Sequence, residues 1–409
     1  MEETANNNYT ENNYTENNYT ENNYKDNTDN KNTDNKNITG KSHNHNIKNK
    51  VRVIAFYLPQ FHPTPENDKW WGKGFTEWTN VGKAKPLFKG HYQPKVPADL
   101  GYYDLRVPET RKAQADMARE YGVEGFCYWH YWFGNGRQLL ERPFNEVLKS
   151  GEPDFPFCLA WANHSWEDKQ FSKDGGHKML MEQLYPGDED YIAHFNAVLP
   201  AFKDPRYIRV NGNPMFVIYS PVNMPEMKHF ISLWQELAKP HGFSIHFVAH
   251  TSKPEEMPVF REWGFNATIM VRLFDVFKKD FSLLERINAK FQRMAFKQGR
   301  RIDYSKASKW FSGPEDKEAD CYPTLIPNWD HSPRSGRAGH ILVNSTPDKF
   351  EKHAEQTFRN VAHKPEEERI VFLKSWNEWA EGNYMEPDLK FGRGYLEALK
   401  KAINNVFNR

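Results

Sequence analysis

The feature that most constrains this chain is a set of short apolar runs recurring along residues 51–409, each bounded by turn residues. They are Val51–Tyr57, Gly125–Trp132, Pro156–Asn163, Met215–Tyr219, Ser244–His250, Phe265–Met270, Tyr322–Ile326 and Arg369–Lys374. Each is nearly continuous in apolar character rather than alternating, the pattern of parallel strands covered on both faces. Amphipathic helical stretches lie between them. Pro108–Tyr121 opens on a proline suited to a first helical turn, with Ala113, Met117, Ala118 and Tyr121 at a 3–4 spacing. Asp188–Ala201, Glu226–Lys239, Pro347–Asn360 and Gly394–Phe407 read similarly. Strands alternating with helices predict a parallel α/β architecture. Eight such strands favour a (β/α)8 barrel of the TIM type over an open sheet. No Gly-x-Gly-x-x-Gly or Gly-x4-Gly-Lys-Ser/Thr turn follows the first strand, which argues against a nucleotide-binding fold.

Residues 1–50 are of another kind. Seventeen of the fifty are Asn, and the unit Asn-Asn-Tyr-Thr-Glu repeats from Asn7 to about Tyr24. Beyond the initiator Met, Ile38 and Ile47 are the only large aliphatic residues, too little apolar surface to offset the entropy of ordering. A disordered, low-complexity tail is expected there, followed by one domain over 51–409. Asn-Tyr-Thr triplets at Asn8, Asn13 and Asn18 match a glycosylation acceptor pattern, but no secretory leader opens the sequence. A cytoplasmic setting is therefore expected. The three cysteines, Cys127, Cys158 and Cys321, are too few and scattered for a disulfide framework and read as buried thiols. The net charge of +1 offers no field for nucleic acid or an anionic membrane surface, and no run reaches the ~18–20 apolar residues of a membrane span.

In a (β/α)8 barrel, functional groups sit at the C-terminal ends of strands and on the loops that follow. Those positions here are unusually aromatic. Ten of the 13 Trp fall in them, leaving Trp234, Trp263 and Trp310 elsewhere. Flat rings suit a sugar-binding cleft, because the C–H faces of pyranoses stack on them. After strand 1 come Tyr57, Gln60 and His62, then a loop with Trp70-Trp71-Gly72 and Glu77-Trp78. Strand 2 ends in Trp129-His130-Tyr131-Trp132, and strand 3 in Trp161-Ala162-Asn163-His164-Ser165-Trp166. Arg272 lies past strand 6, strand 7 leads to Trp329, Asp330 and Arg334, and strand 8 delivers Asn377-Glu378-Trp379-Ala380-Glu381-Gly382.

Several of these have two readings. Gln60 and His62 either cap a loop or meet a ligand, and His130 is a ligand contact or a satisfied core histidine. Asn163 could bond its own turn, and Glu77 and Asp330 could be ordinary loop acids. Glu378 and Glu381 stand apart: acids just after a buried strand and ringed by Trp incur desolvation that raises a carboxyl pKa. Three apart on a helical turn, their Cβ atoms would lie about 5–6 Å apart. Retaining glycoside chemistry places two carboxyl groups about 5–5.5 Å apart. They are the expected catalytic pair. No metal or cofactor is implied, since no recognised ligand spacing appears.

Together these segments resemble the WbsX-like proteins, a glycoside hydrolase family 99-like group found among polysaccharide and O-antigen biosynthesis genes. The resemblance runs from Val51 to Phe407. It is carried by Phe56-Tyr57-Leu58-Pro59-Gln60-Phe61-His62-Pro63, Asn67-Asp68-Lys69-Trp70-Trp71-Gly72-Lys73-Gly74-Phe75-Thr76-Glu77-Trp78 and His91-Tyr92-Gln93-Pro94. It continues in Asp99-Leu100-Gly101-Tyr102-Tyr103-Asp104, Gly125 to Phe133, Trp376 to Gly382 and Glu386-Pro387-Asp388. It implies a (β/α)8 barrel and a glycan substrate bound by the strand-end residues named above. Family 99 hydrolases cleave α-mannosidic linkages internally with retention, through an Asn-Glu-Trp-x-Glu-Gly motif. Carried over, Glu378 would deprotonate the sugar's own 2-hydroxyl, and Glu381 would protonate the leaving oxygen and later activate water. One departure is visible: His164 stands where these proteins usually carry Glu, which bears on substrate identity. A hydrolase or transglycosylase, a glycosyltransferase of surface polysaccharide synthesis and a non-catalytic sugar-binding barrel all remain open, as does the oligomeric state.

Overall fold

The computed structural model describes residues 51–168, 178–278 and 299–408, together with residues 287, 290, 291 and 294. The expected tail over 1–50 lies outside the described residues. Eight parallel strands close into a barrel: β1 (Arg52–Tyr57), β2 (Gly125–Trp132), β3 (Phe157–Trp161), β4 (Asn213–Ile218), β5 (His246–Thr251), β6 (Ala267–Met270), β7 (Cys321–Leu325) and β8 (Ile370–Leu373). Each pairs in parallel with the next in sequence, and β8 returns to β1 with Ile54 opposite Phe372. This is the barrel that the eight apolar runs imply. Strand ends move by a residue or two from the apolar runs. Strand β4 starts at Asn213, just past the left-handed Asn211 and Gly212. Every residue of β3, β6, β7 and β8 is buried, as two covered faces require.

Helices α1 (Pro65–Trp71), α2 (Glu77–Lys83), α3 (Pro108–Glu120), α4 (Arg142–Ser150), α5 (Asp188–Lys203), α6 (Met227–Ala238), α7 (Met257–Trp263), α8 (Pro347–Val361) and α9 (Gly394–Phe407) fill the connections. In α8 the buried residues Phe350, His353, Ala354, Thr357, Phe358 and Val361 form one stripe at 3–4 spacing, the face turned to the sheet. Gly125 is required where β2 begins, because a Cβ there would run into the Pro156 carbonyl. Inside the barrel Phe56 stacks on Trp129 at 4.7 Å and meets Phe372 and His250 edge-on or tilted, so the upper layer is aromatic. Among the described residues no helix is long and apolar enough to cross a membrane.

Candidate active site

A cleft of about 640 Å³ opens at the C-terminal ends of the strands, where this fold places its loops. Trp70, Trp71 and Phe75 from the loop after β1, Trp129 and Tyr131 of β2, Trp166 after β3 and Tyr219 after β4 wall it. Glu77, Glu378, Glu381, Arg334 and Lys374 supply its charge. The two β2 residues enter for a simple reason. Side chains alternate along a strand, so Trp129 and Tyr131 face the interior while Tyr128, His130 and Trp132 face the helices.

One cation organises the acids. The Arg334 Nη2 lies 2.9 Å from Glu378 Oε1 and 3.1 Å from Glu77 Oε1, and its Nη1 lies 2.6 Å from Glu381 Oε1. His331 Nε2 is 3.6 Å from the same Glu381 oxygen. Glu77 is aimed by its position at the start of α2, behind the Thr76–Thr79 capping box. Burial and the neighbouring charges of Glu381 and Glu77 push the Glu378 carboxyl up to about 8, against the pull of Arg334 and Lys374. Glu381 goes the other way. Burial alone would raise it, but Arg334, His331 and Lys374 together hold it down to about 2. The two carboxyls are thus driven in opposite directions, Glu378 towards holding a proton and Glu381 towards ionisation.

The acids do not ride on an α-helical turn as their spacing suggested. Asn377–Glu378 forms a two-residue antiparallel bridge with Asn383–Tyr384, and Trp379–Glu381 is a single 3-10 turn closed by Gly382. Gly382 has φ +56°, and a Cβ there would come within 2.5 Å of Lys95 Nζ and 2.7 Å of Asp330 Cβ. Asn377 ties this turn to the first strand's end, donating to the Leu58 carbonyl at 3.0 Å and accepting from the Leu58 N–H at 2.8 Å. Asp330 clamps the neighbouring loop. It accepts from Gln93 Nε2 at 2.6 Å and the Ser332 N–H at 3.0 Å, lies 2.8 Å from His91 Nε2, and donates its own N–H to the Glu381 carbonyl at 2.8 Å.

Behind the turn, the Trp379 ring stacks on Tyr384 at 3.8 Å, and its Nε1 donates to Glu386 at 2.6 Å. Glu386 also accepts from Gln114 Nε2 at 2.6 Å and Tyr103 OH at 2.8 Å. Replacing Glu386 with Ala leaves three buried donors without an acceptor, at about 1–3 kcal/mol each. Glu386→Ala is expected to lower stability by roughly 3 kcal/mol or more in a denaturant titration, with Glu386→Gln much milder. An unchanged midpoint in Glu386→Ala would show that the carboxyl does not carry this contact.

Of the residues expected in a substrate site, Gln60, Glu77, Trp129, Arg334, Glu378 and Glu381 line the cleft. The others lie behind it. Tyr57 is buried inside the barrel wall and donates to Gln114 Oε1 at 2.7 Å. His62 is buried within the loop after β1, and Trp78 packs against Phe61 and Trp379, donating to the Tyr103 carbonyl at 2.7 Å. His130 faces outward, 2.9 Å from His194 on α5, and burial pushes both rings down so that the pair is neutral. Trp132 stacks on the same His194 at 4.7 Å and donates to Asp190, while Trp161 donates to the Trp132 carbonyl and packs on Phe230. Asn163 bonds across to Ser220 rather than within its own turn. Arg272 pairs with Glu315 and Asp316, away from the cleft, and buried Trp329 lies over His331. Asp330, Asn377 and Trp379 hold the acid turn as described.

Tyr131, Tyr219, Lys374 and His331 also line the cleft, beyond the residues expected from sequence. Tyr131 was accessible there as the residue two positions from Trp129 on a strand; the others follow strand ends where direction has no periodic signal. Among the described residues, no group of three or more His, Cys, Asp or Glu side chains is arranged to hold a metal ion.

Comparison with known proteins accords with this geometry. The uncharacterized protein WxcX of Xanthomonas campestris pv. campestris, from strain ATCC 33913 and strain B100, is 36% identical over 359 residues, covering 87% of this chain and 50% of WxcX. The chain thus spans about half the length of these curated relatives. Among solved structures, the family 99 endo-α-mannosidase of Bacteroides thetaiotaomicron superposes with a TM-score of 0.52 at 15% identity, covering 87% of this chain and 98% of that one. A "glycoside hydrolase-like protein" gives 0.53 at 15% identity over 86% and 94%. These two show a shared fold. Residues 53–399 match the family described as "Glycosyltransferase WbsX", and the chain belongs to that family.

Proposed function

We propose that this protein is a carbohydrate-active enzyme that makes or breaks glycosidic bonds at Glu378 and Glu381, with retention and with the sugar's own 2-hydroxyl as the internal nucleophile. Family membership supports the carbohydrate-active class. The observation that carries the chemistry is the single Arg334 guanidinium shared by Glu77, Glu378 and Glu381 on the floor of an aromatic-walled cleft. Three carboxyl groups around one cation cannot all ionise cheaply, so one proton is held by the pair and is available for transfer.

The division of labour is then set by where that proton moves. Protonating the leaving oxygen from Glu381 requires the proton on Glu381, whereas Arg334 favours its ionised form. Substrate entry accordingly has to weaken the Arg334–Glu381 contact, letting Glu381 gain the proton as Glu378 becomes the base. Glu378 then takes the 2-hydroxyl proton while that oxygen attacks the anomeric carbon, and Glu381 gives its proton to the departing oxygen. Water, or an acceptor hydroxyl, reverses the sequence. A tail over 1–50 and one catalytic domain over 51–409 complete the proposed organisation.

The family's description favours a second reading, sugar transfer from an activated donor. One experiment separates the two. Purified protein, with Glu378→Gln and Glu381→Gln as controls, is incubated with the source cell's glycan pool in ¹⁸O-water, with and without sugar nucleotides. Glutamate-dependent ¹⁸O at a new reducing end supports the hydrolytic direction. Extension only with sugar nucleotide overturns the 2-hydroxyl mechanism. The wall residues give a further expectation: Trp70, whose ring meets Trp166 at 5.9 Å, stacks on substrate without touching the reacting atoms. Trp70→Ala should raise KM about tenfold with kcat within about twofold, the mark of lost uniform binding. A fall in kcat with KM unchanged would remove Trp70 from the binding wall.

A further inference from the structure

Lys374 follows β8 directly and lines the cleft, yet its residue surface is only 8% exposed. All three site carboxylates are taken by Arg334. The Lys374 ammonium makes no direct hydrogen bond or ion pair among the described residues, although Glu381 and Glu378 act on it electrostatically. An ammonium has three donors and no acceptor, so in the cleft these donors are open to a ligand. Tyr219 lines the same cleft. The Tyr219 ring, just past β4, packs 4.7 Å from the His250 ring at the end of β5. The Tyr219 hydroxyl makes no hydrogen bond among the described residues, and His250 Nε2 is buried without a partner. Burial depresses the His250 imidazole, and the charge of Lys374 adds to that. His164 borders this corner of the cleft, its ring 5.2 Å from Tyr219.

Resting on the glycan reading of the cleft, we propose that Tyr219 and Lys374 form a subsite for a carboxylate carried by the sugar, so that the substrate is an acidic glycan. A carboxylate accepts from an ammonium and a phenol together and carries the charge that matches the ammonium, which a neutral hydroxymethyl group does not. The apolar surroundings, Phe56 and Trp129 beneath and beside the corner, keep water from competing. The incoming negative charge also adds to the crowd around Glu378 and Glu381 and so favours keeping one proton on the pair, as glycosidic chemistry there needs.

Binding is read directly, so that activity is not required. The probes are the methyl glycosides of glucuronate, galacturonate and mannuronate, each paired with its neutral methyl ester, in saturation-transfer NMR titrations. Wild type is compared with Lys374→Met, Lys374→Arg and Tyr219→Phe, all checked for unchanged melting. At least one acid should bind about tenfold more tightly than its ester, the range of a hydrogen bond to a charged group. That preference should vanish in Lys374→Met, survive in part in Lys374→Arg, weaken in Tyr219→Phe and shrink with added salt. Equal binding of acid and ester by wild type, or an acid preference that persists in Lys374→Met, overturns the subsite and leaves the glycan reading standing. If no sugar of either form contacts the protein, the glycan reading fails and the subsite with it.

Discussion

Glu381→Gln is expected to lower turnover of an unactivated glycan by about a thousandfold while leaving the melting temperature within a few degrees of wild type. General acid–base assistance contributes on the order of 10²–10⁴ in rate. Glutamine fills the same space but has no proton to give the leaving oxygen. The specific signature is rescue: with a dinitrophenyl leaving group, which departs without protonation, the first step should return to near the wild-type rate. Glu378→Gln should show no such rescue, because its loss removes the base that activates the 2-hydroxyl whatever the leaving group. Reversal of this pattern would exchange the two roles, an outcome that the resting protonation makes worth watching for. Burial and its acidic neighbours favour the protonated form of Glu378, while Arg334 favours the ionised form of Glu381.

The second large effect is expected from Arg334→Met. This substitution removes the one guanidinium that Glu77, Glu378 and Glu381 share, leaving Lys374 and His331 as the remaining basic neighbours. Losing one partner of a buried ion pair costs about 3–5 kcal/mol, and roughly 3 is expected here because 26% of the Arg334 side chain remains open to the cleft. The pH dependence carries the diagnosis. In wild type, Glu381 has a lowered pKa, so its ionisation stabilises the fold above the ordinary carboxyl range, and that contribution fades only as pH falls towards 2. Glu378 has a raised pKa, so its contribution is full below the ordinary range and is lost as pH rises towards 8. Without Arg334, Glu381 joins Glu378 on the raised side. Melting temperature should then fall more steeply between pH 5 and pH 8 in Arg334→Met than in wild type. Parallel curves would mean that the guanidinium does not set the charge state of the acids.

Much of the architecture was legible in residue order because parallel strands announce themselves as unbroken apolar runs. Gly125–Trp132 and Gly394–Phe407 are read to the residue, and all eight barrel strands fall within two residues of their runs. The site was legible in outline, since Glu378, Glu381, Glu77, Gln60, Trp129 and Arg334 all reach the cleft. What residue order does not carry is direction. A run such as Trp129-His130-Tyr131-Trp132 looks uniformly like a binding wall, but the pleat sends His130 and Trp132 to the helices, where His194 receives both. Clustered tryptophans at strand ends therefore divide between platform and scaffold: Trp129 borders the cleft, while Trp379 and Trp161 hold up what does. Nor does residue order show that Arg334 meets Glu77 across 257 positions, because only barrel closure brings those loops together.

That closure also has a consequence for how the protein comes to be active. Strand β8 lies against β1, and Asn377 grips the backbone of Leu58, so the last quarter of the chain completes a floor begun by the first. Contacts of such separation form late, after the intervening segments have collapsed around them. During synthesis Glu77 is exposed long before Arg334, Glu378 or Glu381 leaves the ribosome, so any chain cut short of Gly382 lacks part of the proposed reaction centre. The closing seam is thereby a checkpoint on completeness: the cleft becomes competent only when both ends of the barrel have met.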